Sequence, residues 1–205
     1  MRINKNKLRN LILYIFQKYN NDKLTETKLQ KLLYFCDFRY FQKTNQAITG
    51  FTYRKNNYGP TIMELPKILK EMEREGLITC LISSNYYGAI QKNFAIANPD
   101  IKPSEHFSES ELLTINTINE AYKGLYPREI SEISHSDFPY LATKNTGEII
   151  DYDLAHYIED QEDDLDLENP EATKLFGSNQ FAELMNRVDI KLSRDGRTKP
   201  KTLRQ

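Results

Sequence analysis

Lys28, Gln30, Lys31, Asp37 and Arg39 interrupt a strongly apolar stretch, residues 27–60. Within it Leu29, Leu32, Leu33, Cys36 and Tyr40 recur at helical spacing, and Tyr34, Phe35, Phe38 and Phe41 fill the intervals. A helix apolar around most of its circumference is covered by neighbours on several sides. Its polar groups must then reach water along their stems or find partners inside, because an unpaired buried charge is costly. Other candidate chemistry is sparse. His106, His135 and His156 lack ligand spacing on one helix, and Cys36 and Cys80 lack a CxxC or Cys/His pattern. The expectation is two reduced thiols and no metal site, with His135 fixing a turn before Ser136-Asp137. The acidic run Asp160, Glu162, Asp163, Asp164, Asp166 and Glu168 lacks the glycine of a calcium loop and reads as a solvated, partner-facing strip. Phosphate-loop, dinucleotide, HExxH and GxSxG signatures are absent. A protein that is not an enzyme, with no catalytic residue and no cofactor, is expected.

The central helix needs elements around it. Leu8, Leu11, Ile12, Ile15 and Tyr19 mark an earlier helix that Asn4 or Asn6 can cap, and Thr25 can cap the central one. Residues 47–53 alternate as a short strand and are followed by a polar run turned by Gly59-Pro60, so a strand or an extended loop crosses the helices here. Ile62, Leu65, Leu69 and Met72 form a helical stripe in which Pro66 marks a kink or a delayed start and Glu75-Gly76 the end. Residues 77–82 and 89–97 read as a hairpin, and residues 98–106 as a linker. Ser108-Glu109-Ser110-Glu111 is a capping box opening a helix to Gly124, and Pro127 begins a short helix over residues 128–134 that residues 135–140 break. Gly147 turns into a short extended piece, and Asp151 can cap a helix with Leu154, Tyr157 and Ile158. The fold class is mainly α with a small β-hairpin, α+β. It is a compact helical domain over residues 1–160 with winged-helix-like order in its first half. An extension, residues 161–205, carries an acidic linker, a weak amphipathic helix and a basic tail.

Among the 205 residues no apolar run approaches the roughly 20 needed to span a bilayer, and the first residues do not resemble a signal peptide. A cytoplasmic protein without membrane contact is expected. The net charge of -1 conceals an asymmetry: Lys and Arg outnumber Asp and Glu 12 to 3 over residues 1–60, trail 9 to 24 over 61–184, and lead 7 to 2 thereafter. Such fields point toward a charged macromolecular partner, or toward mutual neutralisation within the chain. Basic and aromatic residues interleave at Tyr53, Arg54, Lys55 and Tyr58, which suits nucleic acid or an acidic protein surface equally.

Thr27-Lys28-Leu29-Gln30-Lys31-Leu32-Leu33-Tyr34-Phe35, followed by Tyr58-Gly59-Pro60, resembles the Panacea antitoxin domain family, also described as SocA-like or phage-associated GepA-like. Ile130-Ser131-Glu132-Ile133-Ser134-His135 and then Gly147-Glu148-Ile149-Ile150 resemble that family's second half, and the likeness covers about residues 6–158. It departs after His135, where Phe138 or Tyr140, with Pro139 between, stands for a family aromatic that is often Trp. The resemblance implies a bacterial antitoxin that binds and neutralises a cognate protein toxin, and in one branch an adaptor delivering the toxin to a Clp-type protease. On that reading Lys28, Lys31, Tyr53, Arg54, Lys55 and Tyr58 are partner contacts, and residues 169–205 are a wrapping segment. Gln30, Tyr34 and Asp37 fasten the crossing to the helix while Gly59 and Pro60 supply its turn. A winged-helix regulator of operator DNA is the rival from another class. Acidic residues in its would-be recognition helix, Glu64, Glu71, Glu73 and Glu75, weigh against it. Whether the chain pairs with itself is left open.

Overall fold

The computed structural model describes residues 2–19, 24–84, 88 and 90–158. Helix α1, Lys5–Tyr19, starts where the Asn4 side chain accepts from the Lys7 amide at 2.9 Å. Strand β1 is only Leu24–Thr25, and Thr25 then caps α2, Glu26–Thr44, by accepting from the Lys28 amide. Helix α2 ends at Asn45, whose left-handed φ of 57° suits an asparagine. Every residue from Lys28 to Phe38 is buried, so α2 is the axis of the core. Its aromatics continue into a cluster: Tyr34 lies 4.4 Å from Phe38 between ring centroids, Phe38 stacks on Tyr152 at 4.5 Å, and Phe35 stacks on Tyr122 at 4.8 Å.

Helix α3, Leu65–Arg74, begins with Pro66 in its first turn, so the proline delays the start and introduces no kink. Gly76, at φ +72°, closes it as the Leu77 amide reaches back to the Met72 carbonyl. The hairpin follows as β2, Ile78–Ser84, and β3, Ile90–Ile96, paired antiparallel from Ile78↔Ile96 to Ser84↔Ile90. β1 pairs with the other side of β3 through Leu24↔Phe94 and Thr25↔Asn93, giving the order β1-β3-β2. Two residues are too few for an alternation to show, which is why sequence periodicity missed β1. The chain is therefore α+β, with a three-stranded antiparallel sheet among the described residues.

Helix α4, Glu109–Tyr122, opens on the expected capping box, with Ser108 and Glu111 satisfying each other's amides. Helix α5, Pro127–Ser136, runs beyond its expected end, and α6, Phe138–Ala142, forms where only a break was expected. Asp137 separates the two at extended φ and ψ, and Pro139 in the first turn of α6 lacks no bond the helix needs. Residues 98–106 hold a 3-10 turn, Pro103–His106, and Asp151 caps a second 3-10 turn, Tyr152–Tyr157, in place of an α-helix. Cys36 is buried, Cys80 is half-buried, and both are free. No helix among the described residues is long and apolar enough to cross a membrane. The acidic run, the amphipathic helix and the basic tail expected after Ile158 lie outside the described residues.

Residues 47–53 form no strand and take the other expected form, a loop; beyond them isolated bridges join Arg54 to Thr61 and to Ile149. The backbone here takes its partners from helix side chains instead of a neighbouring strand, and those side chains define the candidate site.

Candidate functional site

Gln30, Lys31, Tyr34 and Asp37 recur at intervals of one, three and three residues along α2, which keeps them on one side of the helix. Three of them grip the crossing that runs from Ile48 to Ile62. Gln30 behaves as a missing strand: its amide nitrogen donates to the Ile62 carbonyl at 3.2 Å and its oxygen accepts from the Ile62 amide at 2.9 Å. The Asp37 carboxylate, fully buried, accepts from the Thr49 amide at 2.7 Å, the Tyr53 hydroxyl at 2.9 Å and the Thr49 hydroxyl. Burial pushes its pKa up, and the Thr49 and Tyr53 donors oppose that rise. Lys31 donates to the Pro60 carbonyl at 2.9 Å, and burial lowers its pKa to about 7. No acidic group forms an ion pair with it among the described residues, so desolvation acts unopposed.

Tyr34 points the other way, to Asp137 between α5 and α6, donating at 2.5 Å. Arg39 completes that junction at 2.6 Å to the second Asp137 oxygen. Burial works against the Arg39 charge, but Asp137 outweighs it and the guanidinium is held more firmly protonated. Tyr34, buried beside the same carboxylate, has its pKa raised well above the usual phenol value.

The second half of the chain holds the crossing from its other side. Ser131 donates to the Tyr58 carbonyl at 2.8 Å, and Tyr140 donates to the Asn56 carbonyl at 2.7 Å. Lys55 reaches the carbonyls of Tyr140 and Thr143 at 3.0 and 2.6 Å, with its ammonium 4.5 Å from the Tyr140 ring centroid. Arg54 donates to the Gly147 carbonyl at 2.7 Å. The result is a fixed turn with one large side chain outside: Gly59 and Pro60 are buried and Tyr58 is 76% exposed. Tyr58 lines a cleft of ≈ 390 Å³ shared with the start of α2, the start of β3 and Pro127.

Gly59 is required twice over. Its φ is +93°, and a Cβ there would collide with the Ser134 hydroxyl and stand 2.8 Å from Lys31 Cε. Gly59→Ala should cost about 2 kcal/mol in strain and displacement, read as a lower urea midpoint with an unchanged slope.

The expected basic contact edge does not exist as drawn from sequence. Lys28 is buried, donating to the Lys123 and Leu125 carbonyls at 2.7 and 2.6 Å and so closing the end of α4, while its ammonium lies 4.8 Å from the Tyr19 ring centroid. Lys31 and Tyr53 are buried as well, because their polar tips serve the crossing. Arg54 and Lys55 are half-buried and engaged with carbonyls, leaving Tyr58 as the exposed member of the expected set. Gln30, Gly59 and Pro60 sit where the crossing needs them, whereas Tyr34 fastens the α5–α6 junction instead. His135 is half-buried, its ring 4.9 Å from that of Tyr140, and Asp137 ties the same turn to Tyr34 and Arg39. Asp137 has no expected role in the sequence reading, and Ser131 and Tyr140 enter it only as positions of the family resemblance. A carboxylate in an apolar break, with a core arginine to satisfy, was the available signal for the first.

A family model described as "Antitoxin SocA-like, Panacea domain" matches residues 29–139, more than half of the chain. These residues run from α2 through the crossing, the hairpin and α4 to the α5–α6 junction. No curated protein and no solved structure matches.

Proposed function

Since the chain belongs to the SocA-like Panacea antitoxin family, we propose that it neutralises a cognate protein toxin by direct, non-enzymatic contact, with the Tyr58 turn at the centre of the contact face. The supporting observation is that turn itself, an exposed tyrosine on a backbone held from two sides over a cleft. A tyrosine presented this way contributes large contact area with little conformational entropy to lose, the character of an interface anchor. Operator DNA suits the surface less well. Lys5 and Arg9 are paired with Glu71 of α3 and Glu75 at its C-cap, so two basic groups are already engaged by the helix that would enter the groove and its end.

Co-expression with the product of the adjacent gene tests the reading. Growth inhibition by that product should be relieved by this protein, with toxin abundance unchanged. Unrelieved inhibition would sink the proposal, and relief accompanied by protease-dependent loss of toxin would replace masking with delivery. Tyr58→Ala should weaken toxin binding by at least about tenfold while leaving the thermal midpoint in place, because the tyrosine's side chain is mostly outside the fold.

A further inference from the structure

One face of the hairpin runs on past the core that it covers. Ile78, Cys80, Ile82 and Ser84 of β2 stand directly across from Ile96, Phe94, Lys92 and Ile90 of β3, and residues paired in this way project on one side of the sheet. Near the base of the hairpin that side is interior: Ile78 and Phe94 are buried, and the Phe94 ring stacks on Phe16 of α1 at 6.5 Å. Toward the hairpin turn the same side is bare, with Ile82 67% and Ile90 78% exposed. Ile90 also lines the cleft beside the Tyr58 turn, and these two residues are the most exposed large apolar side chains among the described residues. One cleft therefore joins the bare part of the hairpin to the tyrosine proposed as the anchor, so a partner seated on Tyr58 is the one that reaches the hairpin.

Lys92 fixes the chemistry of what is bound there. It shares the bare face, opposite Ile82 and two residues from Ile90. It is exposed, and the ion pairs among the described residues do not include it. Glu26 lines the same cleft without pairing to it. A segment that covers both isoleucines takes Lys92 out of water with them. Burying an ammonium without a counterion is costly, and a carboxylate on the arriving segment offsets that cost.

Resting on the antitoxin reading above, we propose that the toxin segment seated beside Tyr58 is apolar with an acidic residue in it: its apolar side chains cover Ile82 and Ile90, and the carboxylate pairs with Lys92. The hairpin is then the second half of the contact face, and only through its core-side residues. Leu81, 47% exposed, projects from the opposite side of β2 and takes no part. The segment recognised is thereby distinguished from a basic or purely polar one, which would leave the isoleucines wet or set a second cation against Lys92.

Calorimetric titration of the full chain with the purified product of the adjacent gene tests this, each variant being checked for an unchanged thermal midpoint. Lys92→Glu should weaken binding by at least about tenfold, and reversing the charge of one acidic residue of the toxin should restore it. Ile82→Ser and Ile90→Ser should each weaken binding about fivefold or more, whereas Leu81→Ser, on the same strand, should leave it unchanged. Ile90→Ala and Tyr58→Ala together should cost less than the two separately, since both touch one segment. Glu26→Gln should not weaken binding. Binding indifferent to Lys92→Glu overturns the proposal, as does a loss from Leu81→Ser equal to that from Ile82→Ser. A loss from Glu26→Gln also overturns it by making Glu26 the counterion, and so does failure of every charge reversal in the toxin to rescue Lys92→Glu. A native chain that neither binds the product nor relieves its inhibition brings down the antitoxin reading and this inference with it. A native chain that binds and relieves while the hairpin variants are indifferent overturns this inference alone.

Discussion

Asp37→Ala lowers stability by about 3–5 kcal/mol, the largest loss expected from a single side chain here. The carboxylate is fully buried and accepts from the Thr49 amide, the Thr49 hydroxyl and the Tyr53 hydroxyl. Truncation leaves those three donors with neither water nor an acceptor, at about 1–3 kcal/mol for each orphaned group before relaxation. It also removes what holds residues 48–53 without a neighbouring strand. Urea unfolding measures the loss, and a change under about 1 kcal/mol would mean that the donors had found other acceptors. Thr49→Val and Tyr53→Phe provide the internal comparison. Added to Asp37→Leu they should bring a smaller loss than the separate changes sum to, because the two hydroxyls then leave together with their acceptor and only the amides of residues 49 and 51 are left without one.

Stability should rise with pH from about 7 to about 9, and Lys31→Met should remove the rise. Burial lowers the Lys31 pKa to about 7 from the ordinary 10.5. Between those values the unfolded chain carries a proton that the folded chain has released. Unfolding therefore takes up a proton and becomes less favourable as pH increases, by about 1.4 kcal/mol per unit. Below pH 7 both states are charged, and the contribution of Lys31 sits at its lowest. Cys36, Tyr34 and Tyr53 act in the opposite sense at higher pH. Burial raises their pKa values, so the unfolded chain ionises first and stability falls as pH passes the ordinary thiol and phenol values. A maximum near pH 9 results. Denaturant midpoints across pH 6–10 check this, and a flat profile for the native chain between 7 and 9 would refute the assignment to Lys31.

Patterns that repeat along the chain were legible in the sequence. The helical spacing of α2, the capping pairs at Thr25 and Ser108, the stop at Gly76 and the hairpin could all be read, because each depends on neighbours a few residues apart. What could not be read depends on distant partners. Residues 47–53 have the composition of a strand, yet Asp37 claims their hydrogen bonds. Lys28 and Lys31 have the composition of a surface, yet backbone carbonyls up to 97 residues away accept their hydrogen bonds. A lysine's charge announces that it needs water or acceptors, and only the fold decides which.

Around the Tyr58 turn the fastenings from Lys31, Ser131 and Tyr140 end on main-chain atoms. Pro60, Tyr58 and Asn56 each offer a carbonyl to Lys31, Ser131 and Tyr140, and a carbonyl is the same whatever residue bears it. The side chains of Asn56 and Tyr58 are therefore exempt from the work of holding their own loop, and that of Asn57 adds only a long bond from the Thr146 hydroxyl at 3.4 Å. Their identities can be exchanged without loosening it, so specificity can drift across this face, one residue at a time, on an unchanged scaffold.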